Sequence, residues 1–416
     1  MSTAGSALPL AERRAVDEWH RGWRIVLASL CGIAFGVTGL FFYSAGIFLK
    51  PIAGEFGWSR AATSTVPLAA ALALALTAPF VGGMVDRFGT RSAAVVSSIG
   101  LALGFWLLSH TPPNFAMYLG LVVVAVFLGA AASPVAYTRL INLHFTSARG
   151  LALGTAQTAT GIAGAAIPAL LIPFVARHGW RAGYQILALC AFGSLPIVLF
   201  LLRGLPRGRQ GSAGSSPLPG VTLAQALGQA HIYTMFVMLT LAAIGVGGII
   251  VHLVPMLSDA GLPPGRASVV TAALGLGIII GRVATGFLVD RVFAPRVAFT
   301  AFSLAACGCW LMAGADAQWA MAAAALVGLA MGAEIDLISY LVARYYGMSA
   351  YGRIYGWLYA TFMVGTSVGP VIAGAAFDRF GNYRIAGLLM GACLALAGLA
   401  SWALPRFPLQ QQDNIG

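Results

Sequence analysis

The stretch Gly82-Gly83-Met84-Val85-Asp86-Arg87-Phe88-Gly89-Thr90-Arg91 decides how this chain is read, because its core returns as Gly286-Phe287-Leu288-Val289-Asp290-Arg291, an offset of 204. A second set obeys nearly the same spacing. Gly150, Gly154, Pro168, Arg177 and Gly179 recur as Gly352, Gly356, Pro370, Arg379 and Gly381, an offset of 202. Near-constant spacing at eight positions makes the chain two copies of one design. Parallel repeats in a membrane protein place a site between the copies, near the middle of the bilayer.

Composition supplies the membrane. The chain has 416 residues, 59% hydrophobic and 9% charged, with a mean hydropathy of +0.86. A soluble domain carries about a quarter charged residues. Repeated apolar runs of about 18 residues or more indicate a polytopic, all-α membrane protein. Twelve transmembrane helices are expected, near 23–48, 61–84, 92–110, 116–140, 150–174, 182–202, 231–255, 267–289, 297–314, 318–343, 353–376 and 384–404. Segment 203–228 is basic and then rich in Gly, Ser and Pro, so it reads as a flexible cytoplasmic linker. It separates six-helix halves at 23–202 and 229–405, with solvated tails at 1–22 and 406–416.

The net charge of +12 is explained by position rather than by nucleic acid. Of 24 Lys and Arg residues, sixteen fall on the side of the termini, seven on the other, and Arg282 lies within a span. The positive-inside rule then places both termini in the cytoplasm. No separate basic module suggests a DNA or RNA partner. Cys31, Cys190, Cys307, Cys309 and Cys393 all lie in apolar stretches and read as buried small hydrophobes, without metal-type spacing. The charged first twenty residues are not a signal peptide. Gly275–Gly281 imitates a nucleotide fingerprint only as text, since no strand precedes it. Lys50, the only lysine, is followed by Pro51, so no Walker A motif exists. No cofactor or ATP motor is expected, which leaves ion gradients or exchange as the energy source.

Three of the 36 charged residues fall well inside apolar stretches: Arg282, Glu334 and Asp336. Such groups are costly at membrane depth and mark polar paths. Arg282 precedes Asp290 by eight residues, and Asp336 precedes Arg344 by eight. At about 1.5 Å per residue both lie roughly 12 Å deep, with Glu334 at roughly 15 Å. Residues two apart on a helix diverge by about 200°, so one acid, not both, is expected to face Arg282 squarely. A guanidinium offers a planar fork matched to a carboxylate. A carboxyl in a dry site favours its neutral form unless a cation compensates it. Substrate that engaged Arg282 would remove that compensation, so anion and proton would load together through Glu334 or Asp336. Tyr43, Gln157, Tyr359 and Phe362 are further candidates for the cavity wall. His252 reads as a packing residue and Lys50 as an interfacial anchor.

These residues resemble the major facilitator superfamily over nearly the whole chain. Its signature loop, G-x-x-x-D-R-x-G-R-[KR], is similar to Gly82–Arg91, with Thr90 in place of a basic residue. Gly46-Ile47-Phe48-Leu49-Lys50-Pro51-Ile52, Glu55-Phe56-Gly57-Trp58-Ser59-Arg60 and Arg149-Gly150-Leu151-Ala152-Leu153-Gly154 resemble bacterial members of the monocarboxylate transporter family. The resemblance implies that Arg282 matches the span-eight arginine that binds a substrate carboxylate. It also implies that Asp86, Arg87 and Arg91, with Gly82, form a cytoplasmic gate against the start of span eleven; Asp290 and Arg291 are their repeat.

The expected activity is therefore proton-coupled uptake of a small organic monocarboxylate by alternating access. It would be carried out by a non-enzymatic, monomeric protein of the bacterial inner membrane. An anion exchanger or proton-driven exporter on the same fold is the first alternative. A non-transporting membrane receptor or sensor is the second; it lacks a sizeable soluble output domain.

Overall fold

The computed structural model describes residues 10–204, 218–314 and 319–408. The chain order is α1 (Leu10–Ala34), a π-helical turn (Val37–Phe41), α2 (Phe42–Phe56), α3 (Arg60–Ser109), α4 (Phe115–Gly129), a 3-10 turn (Ala130–Ala132), α5 (Pro134–His144) and α6 (Arg149–Leu201) in the first half. The second half holds α7 (Leu223–Leu227), α8 (Ala230–Asp259), α9 (Pro264–Val289), α10 (Ala294–Ala313), α11 (Ala320–Tyr346), α12 (Tyr351–Phe380) and α13 (Arg384–Trp402).

Among the described residues, ten helical segments are long and apolar enough to cross a membrane. Two of these are double length: α3 breaks at Gly89 (φ 76°) and α6 at Gly179 (φ 82°). Each piece is long enough to cross, so the count becomes twelve. Gly179 and its repeat Gly381 (φ 69°) both adopt the left-handed conformation between successive crossings. Only glycine takes that conformation without a steric cost, which accounts for this matched pair.

The two halves differ at mid-membrane. In the first half the first crossing breaks at Gly36 and passes through the π-helical turn. The fourth crossing, expected as one helix over 116–140, is interrupted by the turn at Ala130–Ala132 and restarts at Pro134. Ser97 of α3 mends this break: its hydroxyl donates to the Gly129 carbonyl and accepts from the Ala132 amide at 2.8 Å. The corresponding helix of the second half, α11, runs unbroken and carries Glu334 and Asp336.

The close seam of the second half is glycine on glycine. Gly277 and Gly281 of α9 face Gly328 and Gly332 of α11; a methyl at any of them would collide with backbone of the opposite helix. Small residues four apart let helix backbones approach, where packing rather than hydrophobicity drives association. This is the role of Gly277 and Gly281 in the 275–281 stretch, whereas Gly275 faces open space.

Of the expected tails 1–22 and 406–416, residues 1–9 and 409–416 lie outside the described residues. The described part of the first, from Leu10, is helical and continuous with the first crossing. Glu18 accepts hydrogen bonds from the Thr146, Ser147 and Ala148 amides, at 3.0–3.1 Å, and so anchors the loop before α6. Within the expected linker 203–228, residues 205–217 lie outside the described residues. Its final part is fixed rather than flexible. Gly220 and Gly347 form an antiparallel bridge, with Val221 donating to Tyr346 and Met348 to Pro219. The capping box of Thr222 and Gln225 then starts α7.

Candidate functional site

The glycine seam brings α9 and α11 close enough for their charges to meet. Arg282 Nη1 lies 3.8 Å from Asp336 Oδ1, and both side chains are almost wholly buried, 3% and 4% exposed. That separation makes an ion pair but exceeds hydrogen-bond reach. Glu334, two residues away, is buried as well and feels the same guanidinium. One cation thus faces two carboxyl groups, with Asp336 as its direct neighbour.

Polar atoms around the pair have no protein hydrogen-bond partner among the described residues. They include Arg282 Nε and Nη1, both Asp336 oxygens, Glu334 Oε1, both amide atoms of Gln157 and the Tyr355 hydroxyl. Gln157 on α6 comes within polar reach of Asp336, though neither amide atom attains hydrogen-bond geometry. Leaving buried polar groups unpaired costs about 1–3 kcal/mol each. A fold that concentrates them at one place holds donors and acceptors ready for a polar guest.

Aromatic rings wall this place. Tyr351, Tyr355, Tyr359 and Phe362 form one face of α12, their centroids 5.8, 5.9 and 6.0 Å apart in sequence. Tyr355 interacts electrostatically with Asp336 and Arg282, and Tyr359 with Arg282 and Tyr43. Tyr43 packs on Gly164 of α6. Phe362 is buried and stacks on Tyr359, further along the row. Like Tyr351, Tyr355 is a residue that the sequence reading lacks. Its spacing of four from both Tyr351 and Tyr359 is the available signal, since such residues share a helix face.

A hydrogen-bonded floor lies one turn below. Asn142 Nδ2 donates to Ser339 Oγ at 2.9 Å and to Tyr351 at 3.1 Å. Tyr351 shares a 2.8 Å bond with Ser339 and donates to Thr138 at 3.0 Å. Ser339 follows Asp336 by one turn and Tyr351 precedes Tyr355 by one turn, so this floor joins α5 of the first half to α11 and α12 of the second.

On the side of the termini the halves are clamped reciprocally. Asp86 Oδ1 and Oδ2 accept from the amides of Gly352 (2.9 Å) and Arg353 (3.0 Å) at the start of α12. Asp290 accepts from the amides of Gly150 (2.7 Å) and Leu151 (3.0 Å) at the start of α6. Carboxylates are favoured at helix N-termini by free amides and the helix dipole. Gly82 against Gly352, and Gly286 against Gly150, leave no room for a side chain.

Three arginines expected in this contact are placed otherwise. Arg87 is exposed and lies over Phe88. Arg291 is exposed too, stacks on Phe287 and donates to its carbonyl at 3.2 Å. Arg91 makes no hydrogen bond or ion pair among the described residues. The physical reason is helical phase: Asp86 and Asp290 point at the other half, and the next residue turns away by about 100°. The actual partner is Arg139 of α5, whose Nε meets Asp86 Oδ1 at 3.0 Å. Thr90, the departure from the signature, is buried and donates to the Ala136 carbonyl at 2.8 Å.

A sequence profile of the Major Facilitator Superfamily matches residues 31–333 and 235–414. The chain belongs to the major facilitator superfamily. It is thus a multi-pass membrane protein of a transporter family, not of an enzyme family. Curated relatives include human monocarboxylate transporter 11, 27% identical over 92% of this chain and 83% of that one. Another is bovine (Bos taurus) monocarboxylate transporter 13, 26% identical over 96% and 92%. A third is an MFS-type transporter of Gibberella moniliformis, 24% identical over 94% and 91%. Solved structures agree on the fold. The proton:xylose symporter XylE aligns with TM-score 0.72 at 13% identity, covering 95% of this chain and 99% of that one. The transporter FucP in its outward conformation aligns with TM-score 0.68 at 15% identity, covering 90% and 97%.

The other singled-out residues lie away from this superfamily member's buried charges. His252 contacts the Tyr383 hydroxyl at 3.1 Å and the Pro370 carbonyl at 3.0 Å. Lys50 is exposed. Cys309 is buried, but Cys307 lies on the outer face of α10, because neighbours two apart on a helix face opposite ways.

Proposed function

We propose that this protein takes up a small organic monocarboxylate together with a proton by alternating access, as a monomer in a bacterial inner membrane with both termini in the cytoplasm. The observation that carries the reading is the buried Arg282–Asp336 pair, 3.8 Å apart and short of hydrogen bonds, with Glu334 beside it. The monocarboxylate transporters among its relatives support the class of cargo.

In this reading the substrate carboxylate takes the guanidinium fork of Arg282. The acids lose their cation, and Asp336 or Glu334 accepts a proton. The loaded site then carries one cation, one substrate anion and protonated acid. Gln157, Tyr355 and Tyr359 supply neutral contacts to the rest of the solute, with Tyr43 and Phe362 bounding it. Opening toward the cytoplasm requires Asp86 and Asp290 to leave the amides of the facing helices.

The test is uptake into proteoliposomes under an imposed pH gradient, alongside substrate counterflow. Arg282→Lys keeps the charge but loses the fork, and should raise the half-saturating concentration at least about ten-fold, the loss of about 1.4 kcal/mol. Asp336→Asn or Glu334→Gln should abolish uphill uptake while counterflow persists. Uptake by Arg282→Lys at wild-type affinity would remove the arginine from the binding role. Uphill accumulation by both acid variants would remove the acids from coupling, and accumulation driven only by internal substrate would make the protein an exchanger.

A further inference from the structure

Two arginines without an acidic partner among the described residues lie together outside the transport site. Arg296, at the start of α10, and Arg406, just after α13, line one cavity of about 340 Å³ with Phe293, Pro295, Trp402 and Phe407. No lining residue is acidic, and neither arginine makes an ion pair or side-chain hydrogen bond among the described residues. The walls are fixed. Ser401 donates to the Pro295 carbonyl at 3.2 Å, tying the two helix ends together. Phe407 packs on Phe293 at 5.1 Å and on Tyr345 at 4.8 Å, with Arg344 over its ring. The Tyr345 hydroxyl also donates to the Pro405 carbonyl. Arg406 is therefore held between two anchored neighbours.

Arg296 also stands at the mouth of a second cavity, an apolar groove of about 270 Å³. Leu288 of α9, Val292 of the turn after it, Val297, Ala301 and Leu304 of α10, and Leu329 of α11 form its sides. From Arg296 to Leu304 it runs roughly 12 Å into the membrane. Exposed Trp402 lines the basic cavity, the kind of residue that settles at a membrane–water boundary. A headgroup-sized basic cavity joined to an acyl-sized groove through a shared arginine has a definite complement. Basic pockets between transmembrane helices attract anionic headgroups.

We infer that Arg296 and Arg406 bind the phosphate of an anionic phospholipid whose acyl chain lies in the groove along α9 and α10. The guanidiniums take the phosphodiester oxygens, and the groove distinguishes a lipid from free phosphate. The inner end of the groove reaches Gly281 and Leu329, which meet at the seam that aligns Arg282 with Asp336. Occupancy would thus be felt at the transport site through packing.

The purified full-length chain can be exchanged into detergent with equal amounts of phosphatidylglycerol and phosphatidylcholine and weighed by native mass spectrometry. Phosphatidylglycerol should be retained preferentially. Arg296→Gln and Arg406→Gln should each weaken retention about five-fold, and the double variant about twenty-five-fold. Ala301→Trp fills the groove and should displace the lipid, while thermal protection by inorganic phosphate persists. Equal retention of the two lipids by the wild type overturns the inference without any variant. So does an unchanged double variant. Retention of phosphatidylglycerol by Ala301→Trp, with phosphate alone protecting as well as the lipid, would leave only a free-anion site and overturn the lipid assignment.

Discussion

Among the described residues, Asp86 and Arg139 form the most tightly hydrogen-bonded buried charge pair, at 3.0 Å with side chains 8% and 4% exposed. Removing one member of such a pair strands the other, which costs about 3–5 kcal/mol. Arg139→Ala should therefore lower the thermal midpoint sharply, whereas Arg91→Ala should leave it unchanged. Partial recovery by adding Asp86→Asn would confirm the stranded charge as the cause. A midpoint unmoved by Arg139→Ala would show that the two helix amides suffice for Asp86. The repeat made Asp86 readable as a functional position. Arg139 was hidden because it falls at the expected end of its span, where an arginine looks like a topology signal. The choice between Glu334 and Asp336 did carry a signal. Asp336 stands four and eight residues after Gly332 and Gly328, on the glycine face, and Glu334 does not.

The elements show what periodicity alone leaves out. Hydropathy located the crossings but joined α4 to α5, and the cue against this was Ser133 before Pro134. The residue before proline is biased away from the helical region, and proline itself suits the first turn of a new helix. The glycine seam also yields a prediction. Gly332→Ala would press a methyl group on the Ile278 carbonyl and on the Arg282 amide, at 2.7 Å for the latter. Overpacking of this kind costs about 1–3 kcal/mol. It should lower both the thermal midpoint and the affinity for substrate. Gly265→Ala on α9 has no neighbour within 4 Å of the added carbon and is the matched control. Equal behaviour of the two variants would deny the seam any role in aligning the site.

At the scale of the whole molecule, the 204 and 202 offsets meant more than a count of repeats. They put each acid of one half opposite the matching helix start of the other. Which membrane face is closed was not legible, since it depends on the relative tilt of the halves. The two clamps are not chemically equal. Asp86 has Arg139, while Asp290 has no ion pair among the described residues. Burial pushes the Asp290 carboxyl up from 3.8 to about 6, against hydrogen bonds from Leu151 and Gly150 and the charges of Arg149 and Arg291. When the contact opens, the group returns to water and its ordinary value. The closed form therefore holds the proton more tightly between these values. This contribution to closure is full below the ordinary value and is lost as pH rises through about 6. Spin labels at Arg87→Cys and Arg291→Cys, in a background without native cysteines, should report a growing closed population as pH falls from about 7.5 to about 5. Asp290→Asn should flatten the response, and a wild-type distance distribution indifferent to pH would exclude this linkage.

The reciprocal placement of Asp86 and Asp290 makes the contact between halves bivalent. While either carboxylate remains seated, the other is held near its amides at high effective concentration and re-forms rather than diffusing away. Release is then cooperative: loss of one attachment shortens the life of the other without parting the halves, and the face opens only when both let go together. Two modest hydrogen-bonded contacts, repeated by the duplication of one ancestral design, thereby give an all-or-none closure that neither would give alone.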